Sequence, residues 1–162
     1  SLTSANEALA KALEVKIIGL IDPAVEAELV EFPMLKDKVE RMGYMAHQDA
    51  IAELRKSTAL LLTVDNTPNS NMLIPGKLFE YLATDLPILG FGNGQSDANQ
   101  LLVESGHEPL IGYSDEEQIE KRLKELFAQF EKGEAVKSFN HTKFSREALT
   151  KQLATLLDGI TK

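Results

Sequence analysis

Lys77 and Glu80 stand in the stretch Ile74-Pro75-Gly76-Lys77-Leu78-Phe79-Glu80-Tyr81-Leu82-Ala83, and Thr84-Asp85-Leu86-Pro87-Ile88-Leu89-Gly90-Phe91-Gly92 follows at once. A helix starting at the proline puts this ammonium and this carboxylate, at i and i+3, on one face. Proline near a first helical turn wastes no hydrogen bond, and Gly76 lets a ligand approach the exposed backbone N–H groups, which favour anions such as phosphate. Lys77 could then neutralise a phosphate, while Glu80 could accept hydrogen bonds from a vicinal diol such as the ribose hydroxyls. The plainer alternative is a surface ion pair worth about 0.2–0.5 kcal/mol, and on spacing alone that is the simpler reading.

Other groups carry weaker signals. Gly90-Phe91-Gly92-Asn93-Gly94 invites comparison with a dinucleotide-binding fingerprint, but the third glycine would fall at Gln95. The match fails, and the segment reads as a flexible loop at a cleft mouth or as a plain turn. Ser96-Asp97 caps the helix that follows. His47, between a strand and a helix, could contact a ligand or move a proton, although a lone histidine in a polar loop is more often just a helix-start residue. His107 and His141 have no second histidine at ligand spacing, and there is no H-E-x-x-H or paired carboxylate cluster, so no metal site is expected. A Gly-x-Ser-x-Gly elbow is also missing. Asp115-Glu116-Glu117 most simply favours the positive end of its helix.

The elements that must position these groups alternate in type. Ser4 and Glu7 have capping-box spacing before a short helix, and residues 15–21 read as a buried strand. Asp22-Pro23 opens an acidic helix to about residue 38, which Pro33 should break or kink. Residues 39–45 form a weaker strand, and His47-Gln48-Asp49 starts a helix with Ile51 and Leu54 on one face. The 59–64 run is apolar throughout, as expected of a central parallel strand. The 65–74 loop is long enough to suggest binding, and the helix from Pro75 to about Thr84 follows it. Next come a buried strand at 87–91, a helix at 98–105 and a short strand at 109–113.

Ser114 and Glu117 form a capping box for a helix with Ile119, Leu123, Leu126, Phe127 and Phe130 as its core stripe, stopped by Gly133. Ser145 caps a last helix carrying Leu149, Leu153, Leu156, Leu157 and Ile160. The 133–142 stretch is the one plausible linker. Helices alternating with strands imply an α/β fold with a doubly wound parallel sheet, whose ligands bind beyond the carboxyl ends of the strands. The loops after Ile21, Met45, Val64 and Phe91 are therefore privileged.

Composition narrows the function classes. The 162 residues suit one compact domain, 1–162, and 43% hydrophobic content is that of a globular protein. A formal charge of −8 disfavours general attraction to nucleic acid or anionic lipid, so no nucleic-acid partner is expected. No cysteine is present, which removes disulfides, thiolate catalysis and cysteine-ligated metals together. No apolar run approaches the roughly 20 residues of a membrane span, and the first residues lack the pattern of a signal peptide. The chain starts with Ser1 and enters a helix almost at once, as expected of a fragment or processed chain that lacks its first structural element.

The segment from Pro75 to Ala83, with Leu86-Pro87-Ile88-Leu89, resembles the donor-binding motif of bacterial glycosyltransferases with two Rossmann-like domains, of the family 4 or family 1 kind. Similarity extends to Gly43-Tyr44, His47, Ala50-Ile51 and the 57–64 approach, and onward to the 97–106 and Phe144-Ser145 regions, so it covers nearly the whole chain. The resemblance implies the C-terminal half of a GT-B architecture, a Rossmann-like nucleotide-sugar-binding domain whose N-terminal partner domain holds the acceptor. By it, Glu80 binds the donor ribose and Lys77 lies near the diphosphate. The loop of Gly43, Tyr44 and His47 borders the base, and backbone groups of Asn71, Met72, Leu73 and Ile74 face the sugar, beside Gly76.

Two departures stand out. Many relatives carry a second glutamate eight positions before the ribose-binding one; here that residue is Met72, which puts carboxylate positioning of the sugar in doubt. The family's first strand and its basic loop would precede Ser1, so the isolated chain should bind donor weakly, if at all, and be inactive. The expectation is a donor-binding domain of a parent enzyme that transfers a hexose-like unit to a glycan, lipid or other acceptor, as in polysaccharide biosynthesis. Lys77 and the helix start would stabilise the departing diphosphate without a divalent metal or other cofactor. A general base, for an inverting reaction, would come from the other domain. The expected location is the cytoplasm, with peripheral attachment of the full enzyme to the inner face of the bacterial membrane left open. A noncatalytic sugar-nucleotide-binding regulatory module is the first alternative. A nucleotide-sugar epimerase fits poorly: its Tyr-x-x-x-Lys pair is absent, since Tyr81 is followed four residues later by Asp85 and Tyr44 by Gln48.

Overall fold

The computed structural model describes residues 7–65, 67, 70–133, 139 and 142–160. They form an α/β protein that divides into two compact units, Ser1–Lys56 and Ser57–Lys162.

The first unit runs α1 (Glu7–Ala12), β1 (Val15–Ile18), α2 (Pro23–Val30), a 3-10 turn (Pro33–Leu35), β2 (Val39–Gly43) and α3 (His47–Leu54). The Ser4 half of the expected capping box lies outside the described residues. β1 and β2 are parallel, with Val15 opposite Val39 and a register shift between Ile17 and Ile18 that sets Ile18 against Gly43. Gly43 takes φ 68°, a left-handed conformation that disfavours any other L residue, and it ends β2 two residues before the expected strand end. Asp22 caps α2 by accepting from Ala24 N–H at 2.8 Å. Pro33 does break that helix: α2 stops at Val30, because a proline there lacks the N–H and crowds the carbonyl four residues back. Leu9 is buried, whereas Ile17, Ile18, Ile51 and Leu54 are half-buried.

The second unit runs β3 (Leu60–Thr63), a 3-10 turn (Ser70–Met72), α4 (Gly76–Leu82), β4 (Ile88–Phe91), α5 (Asp97–Glu104), α6 (Glu116–Lys132), a 3-10 turn (Thr142–Phe144) and α7 (Arg146–Ile160). β3 and β4 pair in parallel from Leu60 opposite Ile88 to Thr63 opposite Phe91. Leu62, Val64, Leu78, Leu82 and Leu102 are completely buried, each such side chain contributing about 1.5–3 kcal/mol of transfer free energy. The continuous apolarity of the 59–64 run overstates its burial: Leu61 is 49% exposed and Thr63 is exposed, so the strand alternates.

The expected strand at 109–113 is only a single bridge, Phe91 to Ile111. Pro109 has no N–H, and the N–H of Leu110 donates instead to Asn99 Oδ1 at 2.8 Å, so a longer ladder loses its donors. The cap of α6 is Asp115, which accepts from Gln118 N–H at 3.1 Å, rather than Ser114. Ser96 caps α5 and Ser145 caps α7 as expected. Gly133 stops α6 in the left-handed region, with φ 60°. The stripe of α6 is half-covered at Ile119, Leu123, Leu126 and Phe127 and 54% exposed at Phe130. On α7 the expected core residues are all exposed, from 46% at Leu149 to 72% at Ile160. Most of the expected linker, including His141, lies outside the described residues.

Candidate functional site

β3 delivers Thr63, Val64 and Asp65 to its carboxyl end, and α4 returns the chain to the same place. Pro75 is the N-cap residue of α4, not its first helical residue; its carbonyl accepts from Leu78 N–H at 2.9 Å. Burial of Leu78 and Leu82 on one side of this seven-residue helix fixes its rotation. Lys77 is consequently half-buried, and its Nζ donates a long hydrogen bond of 3.4 Å to Thr63 Oγ1. Burial lowers the affinity of that amine for its proton below the ordinary lysine range, and the charge of Asp65 pulls part of the way back. A simple solvated ion pair does not describe such a lysine. The ammonium sits at a strand end beside a hydroxyl, with a carboxylate close enough to be felt, and an anion could take over its stabilisation.

Glu80 is exposed on the same helix. Its charge is felt by Tyr81, whose phenol is pushed above its ordinary value first by burial and then by this carboxylate. Gly76 opens α4, and a Cβ built on it would meet nothing within 4 Å, so the backbone there is accessible. Asn71, Met72, Leu73 and Ile74 are all exposed, Met72 at 78%. These seven residues lie in the second unit. Gly43, Tyr44 and His47 lie in the first, where Tyr44 is 83% exposed and His47 begins α3 behind the N-cap residue Ala46.

Three contributors escaped the sequence reading. Thr63 and Asp65 were legible only as strand-end residues; the return of α4 brings Lys77 to Thr63 and within reach of the Asp65 charge. Tyr113 donates from its hydroxyl to Val64 O at 3.0 Å and stacks on Phe91 with ring centroids 6.0 Å apart. Burial, then the Asp65 charge, raise its phenol's pKa. Of the Gly90–Gly94 segment, Gly90 and Phe91 belong to β4, and Asn93, Ser96 and Asn99 close the turn that follows with hydrogen bonds of 2.7–3.2 Å.

A concavity lies at the other end of the strand pair, lined by Pro87, Ile88, His107, Arg122 and Phe139 among others. Its polar groups are engaged internally. Arg122 bridges Glu108 at 2.7 Å and Glu125 at 3.1 Å. His107 stacks on Phe139, with Nδ1 3.0 Å from Ser105 Oγ and Nε2 3.3 Å from Leu86 O. Among the described residues no group of three or more His, Asp or Glu side chains could hold a metal ion, and no helix is long and apolar enough to cross a membrane.

No family model, no curated protein and no solved structure matches this chain.

Proposed function

We propose that the chain is the nucleotide-sugar-binding domain of a glycosyltransferase, with Lys77 serving the donor diphosphate and Glu80 the ribose. The observation that carries this reading is the half-buried Lys77 amine, drawn to the carboxyl end of β3 beside Thr63 and near Asp65. Ligands of parallel α/β sheets gather at that end. The finer fold class, a Rossmann-like doubly wound sheet forming the C-terminal half of a GT-B enzyme, belongs to the same proposal. It is supported by parallel strands joined through a helix within each unit.

In the transfer, the bond from the sugar's anomeric carbon to the diphosphate oxygen breaks and a bond to the acceptor oxygen forms. The acceptor hydroxyl loses its proton, in an inverting reaction to a base outside this domain, and the nucleoside diphosphate departs with the electron pair. Lys77 stabilises the charge that builds on that leaving group. Asn71 to Ile74 with Gly76 are assigned to the sugar and phosphate end. The assigned partners are the donor and an acceptor-binding N-terminal domain, in the cytoplasm or at the inner membrane face.

Calorimetric titration of the intact protein with UDP- and GDP-sugars tests the reading. Glu80→Ala should weaken donor binding about tenfold or more, the loss expected for hydrogen bonds to a charged acceptor. Absence of binding, or an unchanged Glu80→Ala variant, overturns it. Met72 favours a second reading, a sugar-nucleotide-binding module without transfer, because a thioether cannot orient sugar hydroxyls as a carboxylate does. Binding with no transfer or donor hydrolysis by the intact protein would select that reading.

A further inference from the structure

Asn93 joins two segments that the donor-site reading does not connect. Its Oδ1 accepts from Gln95 N–H at 2.9 Å, which fixes the carboxamide so that Nδ2 must face the other way. There Nδ2 donates to Asn71 Oδ1 at 2.7 Å, across 22 positions of sequence. The Asn93 side is firmly built: its carbonyl accepts from Ser96 Oγ at 2.7 Å and from Ser96 N–H at 3.1 Å, and Asn99 Nδ2 donates to Gly94 O at 2.8 Å. The Asn71 side is exposed, with Met72 at 78% and Leu73 at 46%. Its 3-10 turn does touch α5, the helix that the Asn93 loop introduces.

We propose that Asn93 is a positioning residue: its amide clamps Asn71 and thereby sets the 71–74 segment for the sugar end of a nucleotide-sugar donor. The inference rests on the donor-site reading above. An apolar contact could not do this work on so exposed a segment, whereas one short hydrogen bond from a pre-ordered amide can select a backbone conformation.

The test compares a nucleotide sugar with its nucleoside diphosphate: UDP-glucose with UDP, and GDP-mannose with GDP, by calorimetry on the intact protein. Asn93→Ala and Asn71→Ala should each weaken sugar-nucleotide binding roughly threefold to tenfold, as expected for one net hydrogen bond. UDP and GDP should bind as before, and the double variant should lose no more than either single one. Equal losses for the diphosphates, additive losses in the double variant, or unchanged sugar-nucleotide binding overturn the clamp alone. Failure of the unsubstituted protein to bind any of the four overturns the donor-site reading and the clamp with it. Thermal melts accompany each variant; should Asn93→Ala fail to fold, unchanged binding by the exposed Asn71→Ala variant still overturns the proposal.

Discussion

Helices α4 and α7 both carry an apolar stripe, yet they end in opposite environments. The shorter, α4, buries Leu78 and Leu82 completely. The longer, α7, leaves Leu149, Leu153, Leu156, Leu157 and Ile160 between 46% and 72% exposed. A stripe states which side of a helix is apolar; it does not state what covers that side. On α4 the difference has a functional consequence. Because two leucines anchor one side, the rotation of the helix is set, and Lys77 is carried to the end of β3 rather than into bulk water.

The comparison breaks most directly at Leu78. Leu78→Ala should cost about 2–5 kcal/mol, the range for truncating a buried leucine, as measured by denaturant unfolding. A loss below that range would mean α4 is not the anchor described.

Lys77→Met sharpens it next, by separating the anchor from its cargo. Under the proposed donor-site role, transfer should fall about a hundredfold, the scale of one lost electrostatic stabiliser, whereas the melting temperature should not drop. The pH dependence follows from the direction of the shift. Burial lowers the Lys77 pKa in the folded protein below the ordinary 10.5, so the unfolded chain binds more protons in the window between the two values. The contribution of Lys77 to stability therefore rises with pH through that window, and the Lys77→Met variant should lack this rise in melts recorded across it.

The smallest effect belongs to α7. Leu153→Ala should change stability by no more than about 0.5 kcal/mol, as expected for a surface position. A larger loss in the same melts would show that this face is covered in solution and would erase the contrast with α4.

How far the sequence could be read depended on the range of the interactions involved. Local signals held well. Asp22-Pro23 starts α2, Pro33 breaks it, Ser96 and Ser145 cap their helices, and Gly133 stops α6, because each acts on hydrogen bonds within a few residues. Readings that needed a neighbour's identity fared worse. The 109–113 strand shrank once Asn99 took the Leu110 N–H, and the stripes of α6 and α7 were left partly or wholly exposed. Around Asn93, side chains fold back on the loop in a way that its glycine spacing does not reveal.

By itself, then, the sequence determined the α/β alternation, most helix limits and the candidate pair Lys77 and Glu80. It could do so because propensity, capping and periodicity act over one or two turns of chain. Tertiary structure alone decided that Lys77 meets Thr63 and senses Asp65, that Asn93 reaches Asn71, and that the stripe of α7 faces outward. Each of those depends on packing between segments distant along the chain, where burial and hydrogen-bond satisfaction outweigh any local preference.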